Sequence, residues 1–204
     1  MLIDRSFKEL LDAFSSSDPT PGGGSASALA GAIGAALLAM VAGLPKTRGG
    51  TDEDRLALGP ARESLLVLRD ELAALVDRDT AAYDQVVAAY RLPKATDEEK
   101  AARSAAIQRA MKQAIDTPLA VMRACESAAR HGEAVARHGN PSASSDVQVG
   151  LELLGAGLRG AQLNVEINLG SVKDEPYVAG VRREVESLTA ALDGATARAR
   201  GLLA

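Results

Sequence analysis

The sequence is poor in aromatic residues, in cysteine and in positive charge. Aromatic side chains make up 2% of the 204 residues and tryptophan is absent, which excludes the stacked aromatic platforms that bind single-stranded nucleic acids. The formal net charge of −4 argues against a general nucleic-acid binder. The one cysteine, Cys125, excludes an internal disulfide and a cysteine-rich metal site. These shortages predict a cytoplasmic protein without a nucleic-acid partner.

Strand patterns are missing as well. No segment of alternating, β-branched-rich residues competes for a strand, whereas apolar residues recur at helical spacing along nearly the whole chain. The break at residues 44–51 and the Gly139-Asn140-Pro141 loop separate long helices. Pro60 is expected near the start of its helix or between two pieces of it, and Pro118 predicts a kink or a restart. We therefore expect one all-α domain over residues 1–204, a bundle of long antiparallel helices.

A glycine-rich turn precedes an uncharged run. Residues 19–25 read Pro-Thr-Pro-Gly-Gly-Gly-Ser, and no charged residue occurs from Gly24 to Leu44. The run is long enough for a membrane span, but it has few large apolar residues and no flanking aromatic belt, so we expect a buried helix and no membrane. With Ser25 as N-cap, the turn serves either a ligand at the helix N-terminus or tight packing alone.

Helical periodicity separates two neighbouring acids. Asp79 falls in line with Leu72, Leu75 and Val76, on the apolar face of its predicted helix. Asp77 is about 200° away around the helix and falls on the solvated face. A carboxylate on an apolar face is costly unless it is paired or its pKa shifts. Asp79 is therefore a candidate functional acid, with a structural, helix-capping aspartate as the alternative.

A second polar set lies on the helix predicted from about Ser145 to Leu169. Asn164 and Asn168 are four residues apart, off the charged stripe of that helix, and share a ridge. Two carboxamides on a buried face can bind a heterocycle through paired donors and acceptors, or they can tie helices together. Asp146 is either an ordinary residue of the first turn or a side chain that faces the same cavity.

Other candidates are weaker. His131 and His138 are seven residues apart, but no third ligand is evident beside them, so no metal site is expected. Ser25 has no obvious histidine base, which argues against a serine nucleophile. Lys46 and Arg48 are expected in solvent, although they could also meet an anionic substrate tail.

Several short motifs occur in order along the chain: Pro19-Thr20-Pro21-Gly22-Gly23-Gly24-Ser25, Asp79…Tyr83, Leu92-Pro93-Lys94, Gly139-Asn140, Ser145-Asp146 and Asn164-Val165…Asn168. Together they resemble the cyclodeaminase/cyclohydrolase family of folate enzymes, over roughly residues 5–200. That family includes the C-terminal domain of formiminotransferase-cyclodeaminase and stand-alone bacterial methenyltetrahydrofolate cyclohydrolases. The resemblance implies an all-helical homodimer with folate sites near the subunit interface. Residues 44–50 depart from the lysine-rich segment that many members carry, so no basic residue is assigned to the glutamate tail.

The resemblance also implies a role for each candidate residue. The family reactions act on the one-carbon unit between N5 and N10 of tetrahydrofolate. Asp79 would be the acid/base, because one carboxylate whose pKa is raised by apolar surroundings can accept a proton and return it. Other residues would hold the pterin or place the reacting carbon: Gly22, Gly23, Gly24, Ser25, Asn140, Asp146, Asn164 and Asn168. The substrate is a folate, and no metal or redox cofactor is expected.

Three functions are consistent with the sequence. The main expectation is a cyclodeaminase that converts 5-formiminotetrahydrofolate to 5,10-methenyltetrahydrofolate and ammonia. The alternative is a cyclohydrolase that opens 5,10-methenyltetrahydrofolate to 10-formyltetrahydrofolate. The third is a non-catalytic helical interaction module, in which Asp79, Asn164 and Asn168 lie apart. Both enzyme functions instead predict that these residues meet the Gly22–Ser25 turn in one cavity.

Overall fold

The computed structural model describes residues 1–203 and is predominantly helical. Its regular structure is made of α-helices and one short 3-10 helix, Pro141–Ala143, and no β-strand occurs among the described residues. The α-helices are α1 (Phe7–Phe14), α2 (Gly23–Ala42), α3 (Asp52–Tyr90), α4 (Asp97–His138), α5 (Ser144–Leu169) and α6 (Glu175–Gly201). The predicted all-α class is confirmed.

The two longest helices, α3 and α4, run antiparallel. At one end the Arg103 guanidinium of α4 donates to the Tyr90 carbonyl oxygen of α3, with Nε at 3.2 Å. At the other end Asp54 Oδ1 of α3 lies 2.9 Å from His138 Nδ1 of α4. Helix α2 packs against α3, α4 and α5, and α5 packs against α2 and α4. The four helices α2 to α5 form the bundle that carries the core.

Helix α6 departs from the antiparallel pattern because it runs parallel to α4. Lys112 of α4 pairs with Asp174 at 2.7 Å, just before α6 begins, and Arg123 pairs with Glu184 at 2.6 Å. The contacts therefore advance in the same direction along both helices. Helix α6 packs mainly on α4, and more lightly on α5, and covers one side of the bundle.

Capping boxes begin α1 and α4. Ser6 and Glu9 exchange side-chain and backbone hydrogen bonds at the start of α1, and Thr96 and Glu99 do the same at the start of α4. Each box supplies partners for backbone N–H groups that a helix start leaves open. The spacing Thr96-Asp97-Glu98-Glu99 is also the sequence signature of such a box.

The prolines do not divide the long helices. Helix α4 continues for 42 residues through Pro118, and α3 continues for 39 residues through Pro60. Of the two alternatives predicted at Pro118, the restart is therefore wrong, and the kink stays a prediction. An interior proline costs a helix about 3 kcal/mol, whereas Pro118 is buried and α4 packs on α3, α5 and α6. Tertiary burial along the whole helix outweighs that local cost.

Helix α2 lies inside the bundle and most of its residues are buried. A side chain at Gly157 of α5 would place its Cβ 2.8 Å from the Ser27 carbonyl oxygen, so the close approach of α2 and α5 requires glycine there. By length and composition α2 is also apolar enough to cross a membrane. In this fold it contacts α3, α4 and α5 instead.

Asp54 fastens the loop between α2 and α3. Its Oδ2 accepts hydrogen bonds from Thr47 Oγ1 at 3.0 Å and from the Gly49 N–H at 2.7 Å, while Oδ1 faces His138. The bond with His138 is the main reason that the pKa of Asp54 lies well below its usual value. One carboxylate thus connects the loop to the start of α3 and the end of α4.

Candidate active site

A cavity of about 310 Å³ lies where the first turn of α2 faces the second half of α3 and the C-terminal half of α5. The residues around it are Pro19, Thr20, Gly22, Gly23, Gly24, Asp79, Ala82, Tyr83, Val86, Ala114, Asn164 and Asn168. Candidates from three separate parts of the sequence therefore meet in one place. The volume is at the lower end of the range typical of ligand pockets. The dispersal that a non-catalytic module predicts is not found.

The turn before α2 differs from its predicted form at one residue. Gly22, not Ser25, is the N-cap, and the helix begins at Gly23. The prediction of a Ser25 cap is wrong because glycine is accepted at an N-cap with little cost, which lets the helix start earlier. Ser25 consequently lies in the first turn, fully buried and directed at α3.

Ser25 holds Asp79 by two hydrogen bonds. Its backbone N–H donates to Asp79 Oδ2 at 2.9 Å, and its hydroxyl lies 3.0 Å from the same oxygen and 2.9 Å from the Val76 carbonyl oxygen. A hydroxyl has one hydrogen to donate and lone pairs to accept. It can therefore donate to an ionised Asp79, or donate to Val76 and accept from a protonated Asp79. Both protonation states of the carboxyl group have a partner.

Burial raises the pKa of Asp79 above its ordinary value, and the hydrogen bonds from Ser25 offset only part of that rise. Asp77 contrasts with it, since its carboxylate accepts from the backbone N–H groups of Leu2 and Ile3 at 2.5 and 3.4 Å. The two acids serve different surfaces of α3, as their spacing predicts. Asp79 is the one that lines the cavity.

Gly24 makes room for the Asp79 carboxyl group. A Cβ at Gly24 would lie 2.1 Å from Asp79 Oδ1 and 2.7 Å from Oδ2, well inside contact distance. Any side chain at this position would displace the acid. The hydrogen bonds found for Asp79 within residues 1–203 all go to Oδ2, so Oδ1 is the oxygen left for a ligand.

The two asparagines approach the cavity from α5. Asn164 Nδ2 donates to the Gly160 carbonyl oxygen at 2.9 Å, and Asn168 Nδ2 donates to the Ala114 carbonyl oxygen at 3.1 Å. Each carboxamide is thus oriented by one backbone bond and keeps its oxygen and a second N–H for other partners. Gly23 lies against Asn164, 3.5 Å from Nδ2 to the position of a Cβ.

Two predicted site residues lie elsewhere. Asn140 caps the short 3-10 helix, where its Oδ1 accepts from the Ser142 N–H at 3.0 Å. Asp146 is in the first turn of α5, eighteen positions before Asn164, which is about 27 Å along the helix. Neither residue lines the cavity within this chain. Their substrate contacts stay predictions.

The cavity also has walls that sequence reasoning did not assign. Tyr83 and Val86 continue the Asp79 face of α3 at helical spacing, so periodicity could have named them. Ala114 belongs to α4. It lines the cavity because of how α4 packs against the other helices, and no local sequence pattern predicts that packing. These side chains add apolar surface beside the carboxyl group.

Other polar candidates do not reach this cavity. Arg48 is exposed, as expected, yet its guanidinium donates to the carbonyl oxygens of Ala136 and Leu202 at 3.2 and 3.3 Å. It therefore ties the α2–α3 loop to two other segments. Cys125 is fully buried, and burial raises the pKa of its thiol to about 12. A buried thiol of this kind is unreactive.

A family model described as formiminotransferase-cyclodeaminase matches residues 6–187. The chain belongs to this family. The match covers most of the chain, including every element that lines the cavity. The resemblance drawn from the ordered motifs is confirmed.

Relatives in the formiminotransferase-cyclodeaminase family carry two enzyme names. A methenyltetrahydrofolate cyclohydrolase of Methylorubrum extorquens is 42% identical over 190 residues, which cover 93% of this chain and 91% of the relative. Formimidoyltransferase-cyclodeaminases of Gallus gallus and Sus scrofa are 35% and 33% identical over 77% and 92% of the chain. This chain spans 29% and 35% of those two longer proteins.

The fold is shared with a solved member of the family. A crystal structure of formiminotetrahydrofolate cyclodeaminase from Thermotoga maritima matches with a TM-score of 0.88 at 28% identity. The match covers 100% of this chain and 98% of that chain. Both chains therefore have the same helical architecture from end to end.

Proposed function

We propose that this chain catalyses a reaction of the one-carbon unit held between N5 and N10 of tetrahydrofolate, with Asp79 as the acid/base. The observation that carries the proposal is that a half-buried carboxyl group of raised pKa meets the Gly22–Gly24 turn and two oriented carboxamides in one cavity. Perturbed carboxyl groups in concave sites are typical of general acid/base catalysis.

Between the two family reactions, we favour methenyltetrahydrofolate cyclohydrolase. The sequence alone gave a slight preference to cyclodeaminase. The cyclohydrolase relative, however, is 42% identical, and the match covers more than nine tenths of this chain and of the relative. Cyclodeaminase is the second candidate, and the end-to-end fold match with the Thermotoga maritima enzyme supports it.

In the cyclohydrolase reaction, water attacks the methenyl carbon while Asp79 accepts one of its protons. The C–N5 bond then breaks, N5 takes a proton from the Asp79 carboxyl group, and the formyl group stays on N10. The second water proton leaves to solvent, so one proton is released for each turnover. A carboxyl group with a raised pKa suits both transfers.

The cyclodeaminase reaction uses the same group. N10 attacks the formimino carbon on N5 and gives its proton to Asp79. The former imino nitrogen takes that proton back from Asp79 and a second proton from solvent. Its bond to the carbon then breaks, ammonia leaves, and the carbon stays bonded to N5 and N10 as the methenyl bridge. Neither reaction changes an oxidation state overall, so the proposal includes no redox cofactor, and Asp79 is the group that transfers the protons.

The glycine turn and the asparagines would position the pterin. Gly22, Gly23 and Gly24 give a ligand close access to the backbone at the start of α2. The free carboxamide atoms of Asn164 and Asn168 match the donors and acceptors on a pterin edge. Holding the reacting carbon at Asp79 Oδ1 lowers the activation barrier by more than any single hydrogen bond does.

We propose further that the active form is a homodimer, joined through an apolar surface of α2 and α5. On α5, Val149, Leu163 and Ile167 are exposed at heptad-related spacing, with Leu163 at 73% and Ile167 at 75%. Ile33 and Met40 of α2 are exposed seven residues apart. Unpartnered apolar surface of this kind is typical of an interface.

The same interface would account for Asp146. In a two-fold dimer with α5 packed antiparallel on its symmetry mate, the first half of one α5 lies beside the second half of the other. Asp146, and Asn140 just before α5, would then approach the cavity of the other copy. Their predicted substrate contacts are proposed on this basis.

An absorbance assay tests the function. Purified protein is given 5,10-methenyltetrahydrofolate in one cuvette and 5-formiminotetrahydrofolate in another, and the methenyl absorbance is followed in both. Faster decay in the first identifies the cyclohydrolase, and a rise in the second with ammonia release identifies the cyclodeaminase. If both occur, the ratio of kcat/KM names the main reaction. No change in either would refute the proposal.

A further inference from the structure

A second, strongly basic cavity lies beside the first. It has a volume of about 520 Å³ and lies between the end of α3, the start of α4 and the α5–α6 connection. Four cationic side chains from three segments surround it: Lys94, Lys100, Arg103 and Lys173. The chain as a whole carries a net charge of −4, so this concentration of cations is local.

Three of the four cations, Lys94, Arg103 and Lys173, have no counter-charge within residues 1–203. Lys100 pairs with Asp97 at 2.8 Å, and Arg103 lies 5.5 Å from the Tyr90 ring and donates to its carbonyl oxygen. Lys94 and Lys173 form no ion pair within residues 1–203. Like charges around one concave surface repel one another and attract an anion. The cavity therefore favours a ligand with more than one negative charge.

The wall that carries Lys173 is held in place. Gln108 of α4 donates through Nε2 to the Ser171 carbonyl oxygen at 3.0 Å and accepts at Oε1 from the Lys173 N–H at 2.8 Å. This pair of bonds fixes the α5–α6 connection against α4. The ammonium group of Lys173 thus extends from an anchored backbone.

The basic cavity continues the Asp79 cavity along the same helices. On α3, Tyr90 of the basic cavity is one turn beyond Val86 of the Asp79 cavity. On α4, Ile107 and Ala114 are seven residues apart, about 10 Å. At the end of α5, the Ser171 N–H donates to the Asn168 carbonyl oxygen at 3.1 Å. A single extended ligand can reach both cavities.

We propose that this basic cavity binds the glutamate carboxylates of the folate substrate while its pterin end lies at Asp79. The inference rests on the proposed function. A folate carries its glutamate at the far end of a rigid p-aminobenzoyl group, so its carboxylates lie away from the pterin, as the basic cavity lies further along α3 and α4 than the Asp79 cavity. Each glutamate added to the tail brings one more carboxylate, which a set of four cations can accommodate.

Two single lysine variants test the proposal. Lys94→Gln and Lys173→Gln each remove one cation, and Lys8→Gln removes an exposed lysine of α1 as the matched control. With triglutamyl substrate, each cavity variant should raise KM about two- to fivefold, the range for a partly exposed ion pair. The kcat should stay within about twofold and Lys8→Gln should change neither, because the reacting end is untouched. The increase should be smaller with monoglutamyl substrate and should fall with added salt.

Binding without turnover separates this inference from the proposed function. The probe is p-aminobenzoyl-triglutamate, which lacks the pterin, measured by calorimetry on wild type and the three variants. Weaker binding of the probe to Lys94→Gln and Lys173→Gln, but not to Lys8→Gln, supports the proposal. If the wild type binds the probe in this way but turns over neither folate substrate, only the proposed function is refuted. Unchanged KM and unchanged probe binding would overturn the tail site. Inorganic phosphate that binds as well as the probe would assign the cavity to a free anion and also overturn it.

Discussion

At the scale of single residues, the proposed proton transfer depends on Asp79 and Ser25. The acid is only partly exposed, its Oδ2 is bonded to the first turn of α2, and Gly24 leaves space for its Oδ1. Because the Ser25 hydroxyl can donate or accept, it stabilises the carboxyl group before and after proton transfer. Burial keeps the pKa above that of an ordinary aspartate, which brings it closer to neutral pH, where proton transfer is useful.

The pH dependence of kcat/KM should reflect the pKa of Asp79 and its hydrogen bonds with Ser25. As base, Asp79 must be ionised, so kcat/KM should fall as pH decreases through its pKa, above the ordinary value of about 3.9. Ser25→Ala removes a bond that lowers this pKa, and the acid limb should therefore move to higher pH. Ser27→Ala, in the same turn but bonded to the Gly23 carbonyl oxygen, should leave the limb in place. An acid limb that stays fixed or moves down in Ser25→Ala would contradict the assignment.

At the scale of the helices, the ends of α3 and α4 are joined to the preceding loop through Asp54. Its carboxylate is ionised in the folded state over a wider pH range than in the unfolded chain, because hydrogen bonds to His138, Gly49 and Thr47 hold its pKa down. A depressed pKa stabilises the fold at pH above the unfolded value. That stabilisation is lost as pH falls toward the folded pKa.

Asp54→Asn should therefore lower the melting temperature at pH 7, with Asp52→Asn, an exposed acid of the same turn, as the control. The difference in melting temperature between wild type and Asp54→Asn should become smaller as pH falls below about 4, where the carboxylate takes up a proton in the unfolded chain. Thermal denaturation followed by circular dichroism at several pH values measures both. A gap that widens in acid would show that the Asp54 charge is not the stabilising feature.

The helices and the acid could be predicted from the sequence because their signals are local. Periodicity placed Asp79 on the apolar face of its helix, and the structure has it lining the cavity. The continuity of α4 through Pro118 could not be predicted, since it depends on burial against other helices. The inward turn of Ser25 likewise depends on how α2 meets α3.

At the scale of the whole molecule, the apolar surface of α2 and α5 predicts the oligomeric state. Wild type should sediment as a dimer, and Leu163→Glu combined with Ile167→Glu should sediment as a monomer, because two charges would enter a desolvated interface. Val67→Glu, on an exposed part of α3 outside that surface, should stay dimeric. A double variant that remains a dimer would place the interface elsewhere.

The most direct measurement is the turnover of Asp79→Asn beside Asp84→Asn on 5,10-methenyltetrahydrofolate and 5-formiminotetrahydrofolate. Asp84 is exposed five residues further along α3 and does not line the cavity, so its variant should keep wild-type activity. Asp79→Asn keeps the shape of the side chain but cannot exchange the proton. Its kcat should fall at least about a hundredfold, the lower end of what general acid/base catalysis contributes. Full turnover in Asp79→Asn would contradict the assignment of Asp79 as the acid/base.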